Sequence, residues 1–512
     1  MTLSQLARST CLVSGLLGLG NLAASSATPA DPSPDSQAAA IVARMTTDQL
    51  LTLVDGQYAV DANFIKPPNV KPPAALGSAG YVPGVAALHL PPLQETDAGV
   101  GVADPLDESG HPVRGTAGYA TAAPSGLATA ATWDPALAFA AGRMIGGEAR
   151  AQGFNVMLAG GTDLTRDPRN GRNFEYAGED PVLAGTISGA EIRGIQSQHV
   201  ISTIKHFALN DYETNRFTAS ADIDWAAARE SDLLAFEIAI GIGHPGSVMC
   251  SYNQINGQPA CGDATLLNTI LKGDWHYPGW VMSDWGAIHS LSVVNTGVDQ
   301  ESGDYFDIPN GGPFYTEKLR QTLADGRVSR ARLDDMARRI IRSERAVGIG
   351  TTTPKPYAIE AAADRAIALR DEEEAAVLLR NEGAILPLKP GTRIAVIGGN
   401  AANGVLEGGG SSEVWPIGGP AEPIDRDLAF PHPVIWDPSA PLTGLRVADQ
   451  GGRVSWTDGR SIDQAVAAAK SADVAIVFAD QWLAESFDAK SLSLPPDAAT
   501  GADQDKLIAA VA

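Results

Sequence analysis

Four short, nearly uninterrupted apolar runs constrain this chain most, because each ends abruptly in polar, charged or aromatic residues. Residues 155–159 (NVMLA) lead into GGTDLTRDPRNGRNFEYAGED and 200–204 (VISTI) into KHFALNDYETNR. Residues 247–250 (SVMC) lead into SYNQINGQPACGD and 280–282 (WVM) into SDWGA. Strands that are apolar on both faces belong to parallel sheets covered by helices, and Ala- and Leu-rich helical runs alternate with these four. The class is α/β, and the alternation fits a (β/α)8 TIM-like barrel. In such a barrel the C-terminal strand ends share one rim, so the four polar clusters should converge there.

The rest of the chain falls into place around that barrel. At roughly 150 residues per domain, 512 residues suggest about three domains. Residues 1–27 read as an export signal: Arg8, then the apolar stretch CLVSGLLGLGNLAA, then small residues for a peptidase. That stretch is too short to span about 30 Å of hydrocarbon, so no stable membrane anchor is expected. Residues 28–37 are a linker, 38–350 the barrel, opening with a helix over 38–54, and 351–380 a linker with a connecting helix. Residues 381–512 begin a second α/β unit, with strands at 393–398 (RIAVIG) and 472–479 (ADVAIVFA) and little between them. The stretch 504–512 reads as uncapped amphipathic helix, so this second domain is expected to be truncated.

Composition narrows the partners. Lys+Arg 37 against Asp+Glu 60 gives a net charge of −23, which repels nucleic acid and anionic lipid but leaves neutral ligands such as sugars unaffected. No His, Cys or carboxylate cluster has metal-ligand spacing, and the Gly-rich stretches at 398–399 and 408–412 fit neither phosphate-binding pattern. The latter read as backbone bends at a domain interface. No cofactor is expected, and the oligomeric state is open. With Cys11 in the leader, Cys250 and Cys261 remain; a disulfide and two buried thiols are both open readings.

Asp284 follows an apolar strand and precedes Trp285, a carboxylate that can attack an anomeric carbon beside an indole that can stack on a pyranose. A helix N-cap is the plainer alternative. Lys205 and His206 bring donors for vicinal hydroxyls; Lys205 alone could also be a Schiff-base lysine, but His206, Glu213 and Arg216 favour a polar network. The run 166–175 is so charged that most of its members should pair with one another, leaving one Arg free for substrate. Glu485 lies beyond the strand ADVAIVFA, where open α/β sheets bind ligands, although a loop Glu is by default a surface group.

Together these motifs resemble glycoside hydrolase family 3, of the exported bacterial β-glucosidase type. The resemblance rests on QETDAGVGV (94–102), GRNFE-x-x-x-EDP (171–181), KHF followed by N-x-x-E-x-x-R (205–216), GSVMCSYN-x-x-NG (246–257) and GWVMSDWGA (279–287). It implies a barrel followed by an (α/β)6 sandwich, here incomplete, that supplies an acid/base across a cleft. Asp284 would be the nucleophile and Glu485 the acid/base. Asp97, Arg172, Lys205, His206 and Tyr252 would grip the sugar, with Met249 nearby and Trp285 on the leaving-group side. The implied reaction is retaining hydrolysis of terminal β-D-glucosyl residues from an oligosaccharide or glycoside, with a protonated Glu485 as donor. An exo-β-glucanase, a β-xylosidase and a sugar-binding chain with little turnover are the alternatives. A subgroup acting on N-acetylhexosamine places a His in a Gly-rich loop after KHF, and 207–210 (FALN) has no such loop.

Overall fold

The computed structural model describes residues 32–97, 99–103, 120–352, 355, 358–422, 434–449 and 452–512; the expected export signal lies outside them. From Pro34 onward the chain is one compact unit. It opens with two helices, α1 (Pro34–Val42) and α2 (Thr47–Val54), where the periodicity suggests one. The break is local: the Thr46 hydroxyl accepts the Gln49 N–H and the Gln49 side chain accepts the Thr46 N–H, a capping box that starts a new helix. Helix α1 thus begins inside the stretch 28–37 expected as linker.

Seven strands form one curled sheet in chain order: β1 (Gln57–Tyr58), β2 (Gly80–Val82), β3 (Leu93–Thr96), β4 (Val156–Met157), β5 (Ile201–Phe207), β6 (Ser247–Cys250) and β7 (Trp280–Ser283). The extended segment 299–301 closes the ring. On one side it bridges Met282 through Gln300, and on the other it bridges Asp55, just before β1, through Glu301. The Gly56 N–H donates to the Glu301 carbonyl at 2.7 Å, and the Ser283 N–H to the Gln300 carbonyl at 3.1 Å. The barrel departs from strict β/α alternation at its start, where β1–β2 and β2–β3 pair antiparallel. The stretch from Pro83 to Pro92 has no room for the crossover helix that a parallel return requires.

From β3 to β7 every ladder is parallel. Helices α3 (Pro135–Ala151), α4 (Pro181–Gln196) and α5 (Asp232–Gly243) follow in turn and pack side by side on the outside. Helix α6 (Arg330–Ala346) packs against α1, bringing the two ends of the barrel together. Its core runs from Leu50 and Leu53 through Ile204, Phe207 and Val248 to Trp280, Ile340 and Ile341.

A connecting helix α7 (Ala361–Ala375) ends earlier than the expected 380, and its Asp371 accepts the Thr129 hydroxyl of the barrel at 2.8 Å. The second domain holds three parallel strands, not two: β8 (Ile394–Ile397) lies between β9 (Val454–Thr457) and β10 (Val474–Val477). Strand β9 escapes an apolar-run reading because Ser455 and Trp456 are exposed at the sheet edge. Ile394 and Val396 pack toward Leu442 on one face; Ile397 meets Ala465 and Leu507 on the other. Residues 504–511 are helical as expected, but the helix is not uncapped: Asp503 accepts the Lys506 N–H at its start.

Candidate active site

Register brings the polar clusters to one level. Phe207 pairs with Cys250 and Cys250 with Ser283, so the chain leaves β5, β6 and β7 at the same rim. The Asp284 N–H donates to the Cys250 carbonyl at 3.2 Å, and the Ser251 N–H to the Phe207 carbonyl at 3.0 Å. Lys205 and His206 lie inside β5, which runs three residues past the expected end, and both are buried.

Asp284 is buried. Its Oδ1 accepts the Trp285 N–H at 2.8 Å, but no helix starts there, so Asp284 is not the N-cap of the plainer reading; its Oδ2 finds no hydrogen-bond partner among the described residues. The His206 Nε2 stands 3.8 Å from that free oxygen. Burial raises the Asp284 pKa above the ordinary carboxylate value, while Arg172, Arg216 and the Tyr252 hydroxyl oppose the rise. His206 is held neutral: burial and the charges of Arg172, Lys205 and Arg216 push its pKa well down. The Asp163 carboxylate accepts the N–H groups of His206 (2.7 Å) and Asn210 (3.0 Å), fixing the end of β5.

The charged run after β4 resolves into pairs: Arg166 with Asp232, Arg169 with Asp167, and Arg172 bidentate to Glu175 at 2.9 and 2.8 Å. Arg172 still has Nη1 directed into the site, 3.5 Å from Glu485 Oε1. Lys205 Nζ lies 4.0 Å from Glu175, paired with an anion rather than isolated as a Schiff-base amine would be. Asp97, beyond β3, has its pKa pushed up to about 7, by burial first, with Lys205 opposing and the carboxylates of Glu485 and Asp284 adding to the rise. Met249 and Tyr252 are buried and Trp285 half-buried, its indole N–H donating to the Ala79 carbonyl at 3.3 Å.

Glu485 enters from the second domain and is buried, not a surface group. The Arg216 Nη1 donates to its Oε1 at 2.7 Å; the Ser411 N–H and hydroxyl donate to its Oε2 at 2.9 and 2.7 Å. Burial pushes its pKa up, but Arg172, Arg216 and the two Ser411 bonds outweigh that and hold it far below the usual range. These contacts oppose the protonated form that the expected acid role of Glu485 requires. The two guanidiniums lie against the glutamate and favour its ionised form.

Arg216 and Ser411 complete the site without having been named as substrate contacts from the sequence. Arg216 also bonds Glu213 at 2.8 Å and lies over the Tyr252 ring, 4.6 Å from its centroid. Its signal was the N-x-x-E-x-x-R spacing. The stretch 408–412 is indeed a bend at the domain interface, and it brings Ser411 to Glu485. Gly410 has φ +108, and a Cβ there would stand 2.4 Å from the Glu485 Cβ, so only glycine fits. Cys250 and Cys261 are disulfide-bonded, with Cα atoms 5.1 Å apart. Among the described residues no group of His, Cys, Asp or Glu is placed to hold a metal ion, and no helix is long and apolar enough to cross a membrane.

Fold and site thus define a two-domain α/β protein in which a barrel-rim carboxylate and a carboxylate from the neighbouring domain share a buried, polar site with Arg172, Lys205 and Arg216. The chain belongs to glycosyl hydrolase family 3: residues 105–343 match the family's N-terminal domain and 376–512 its C-terminal domain. It is 31% identical over 435 residues to thermostable beta-glucosidase B of Acetivibrio thermocellus, covering 84% of this chain and 54% of that protein. Among solved structures it resembles DesR, a beta-glucosidase of Streptomyces venezuelae in complex with D-glucose, with TM-score 0.77, 27% identity and coverage of 93% and 70% of the two chains. Beta-glucosidase 3B of Thermotoga neapolitana in complex with glucose matches with TM-score 0.75, 27% identity and coverage of 93% and 66%. The chain spans about half the length of the curated relatives it matches.

Proposed function

We propose that the chain is the catalytic part of an exo-acting, retaining β-glucosidase that releases terminal β-D-glucosyl residues from oligosaccharides or glycosides. The observation that carries this reading is the free Oδ2 of Asp284, held in a cleft of hydroxyl-gripping donors and faced by Glu485 from the other domain. Asp97, Arg172, Lys205, His206, Arg216 and Tyr252 hold the non-reducing glucose, with Met249 beside it and Trp285 toward the leaving group. Asp284 attacks the anomeric carbon as the glycosidic C–O bond breaks, and Glu485 delivers a proton to the departing oxygen. Glu485 then takes a proton from the water that cleaves the glycosyl–Asp284 ester.

That cycle requires Glu485 to gain a proton when the sugar binds. Glucose hydroxyls draw Arg172 and Arg216 away from the carboxylate and exclude water, so desolvation, already its largest single influence, raises its proton affinity. Esterification of Asp284 removes a neighbouring negative charge and returns Glu485 to the ionised state needed of a base.

A 2-deoxy-2-fluoro-β-glucoside with an activated leaving group tests the assignment by mass spectrometry. The expected result is one adduct on the peptide carrying Asp284; an adduct elsewhere, or none with active-site protein, sinks it. Comparing aryl glucoside with aryl xyloside and β-glucan separates the family's other exo-activities. Unchanged aryl glucoside despite sugar binding would favour the binding-protein alternative.

The leader-like residues 1–27 and the Cys250–Cys261 bond both support export to an oxidising compartment. N-terminal sequencing of the secreted or periplasmic protein should begin near residue 28; intact Met1 on cytosolic protein would refute export.

A further inference from the structure

We propose that Asp488 is the positioning residue that registers Glu485 against the barrel, an inference that rests on the glycosidase reading above. Glu485 sits on a loop of the second domain, whereas Asp284 sits on the barrel, so some cross-domain contact must fix the distance between them. Asp488 makes that contact with three barrel amides. Its Oδ1 accepts the N–H of Gly171 at 3.2 Å and of Glu213 at 3.1 Å, and its Oδ2 accepts the N–H of Thr214 at 2.7 Å. Gly171 belongs to the loop after β4, and Glu213 and Thr214 to the loop after β5, so one carboxylate ties together the two loops that carry Arg172 and Arg216.

The clasp is reciprocal. The Ser486 N–H donates to Glu213 Oε2 at 2.7 Å, and the Ala489 N–H to the Arg169 carbonyl at 2.7 Å. Ser486 itself is held at φ +70, a conformation that L side chains disfavour, so the loop turns sharply directly after Glu485. Contact is also close: a Cβ at Gly171 would lie 1.8 Å from the Phe487 carbonyl oxygen and 2.2 Å from that of Ala484. Among the described residues the Asp488 side chain makes no hydrogen bond to Asp284 or Glu485, and its acceptors are turned to backbone donors. Its effect on the acid step passes through where it puts Glu485, and on sugar binding through the loops that carry Arg172 and Arg216.

A positioning role leaves a signature that simple loss of structure does not. When acid assistance is lost, poor leaving groups suffer and good ones do not, because a good leaving group departs without a proton. In the full chain, Asp488→Ala should lower kcat/KM for an alkyl glucoside or cellobiose about 10²-fold, within the usual range of acid–base assistance. It should change kcat/KM for 2,4-dinitrophenyl glucoside less than about 3-fold, since that step needs no acid. Turnover of the dinitrophenyl substrate should be restored by azide, which attacks the glycosyl ester without a base. Asp488→Asn, isosteric and with one acceptor left, should show the same pattern less severely and guards against misfolding of the alanine variant. Equal losses on both substrates, no loss, or no azide response in either variant overturns the proposal. Glu485→Ala is the control: if it shows the leaving-group pattern and the Asp488 variants do not, the positioning role alone falls. If Glu485→Ala also lacks the pattern, the acid/base reading falls with it.

Discussion

Two buried carboxylates in this molecule behave differently because of what surrounds them. Glu485 is surrounded by donors and held ionised, whereas Glu95, inside the barrel on β3, has neither oxygen partnered among the described residues. For Glu485 the consequence is kinetic. Profiles of kcat/KM report the free enzyme and those of kcat the substrate complex, so the basic limb of kcat should lie at higher pH than that of kcat/KM. Coincident limbs would show that bound sugar does not release Glu485 from Arg216. For Glu95 the consequence is stability. Burial first, and the charge of Asp97 second, push its pKa up to about 8. The unfolded chain loses this proton near pH 4 and the folded chain only near pH 8, so folding stability falls as pH rises through that window. Glu95→Gln should flatten the decline in urea-unfolding free energy between about pH 5 and 8 and exceed the parent at the upper end. An unchanged slope would mean that Glu95 is not the group responsible.

At the scale of elements, the loop after β6 shows how a covalent link serves geometry. Cys250 ends the strand, Cys261 lies in the short helical turn that follows, and Tyr252 stands between them, against Arg216 and beside Asp284. Cutting the link in Cys261→Ser should cost ~2–4 kcal/mol in denaturant unfolding. It should also weaken glucose inhibition as Tyr252 loosens; an unchanged inhibition constant would show that packing alone holds the loop. Sequence spacing located 247–250 correctly but ended β5 too early. Lys205 and His206 are polar, so an apolar-run criterion stops before them, while the backbone carries on because both find partners inside the barrel. Strand β9 was missed for the converse reason: an edge strand with exposed Ser455 and Trp456 has no need of an apolar run.

For the whole molecule, the barrel carries Asp284 and the second domain carries Glu485 and Ser411. The barrel closes on itself through 299–301 and through α1 packing on α6, so residues 34–352 should fold alone. That fragment should still be labelled at Asp284 by an activated fluoroglucoside. It should lose about 10²-fold or more on poor leaving groups for want of the acid. Full activity on such substrates would place the acid inside the barrel and remove Glu485 from the mechanism. What the sequence by itself determined is the class of fold and the place of its polar rim: apolar runs that end in polar clusters dictate parallel strands with such a rim, and SDWGA and KHF mark residues on it. Only the tertiary structure decided the rest. The antiparallel opening and the closure through 299–301 depend on pairings between segments far apart in the chain. The ionisation of Glu485 depends on Arg172, Arg216 and Ser411, which come from three separate loops and act only through space.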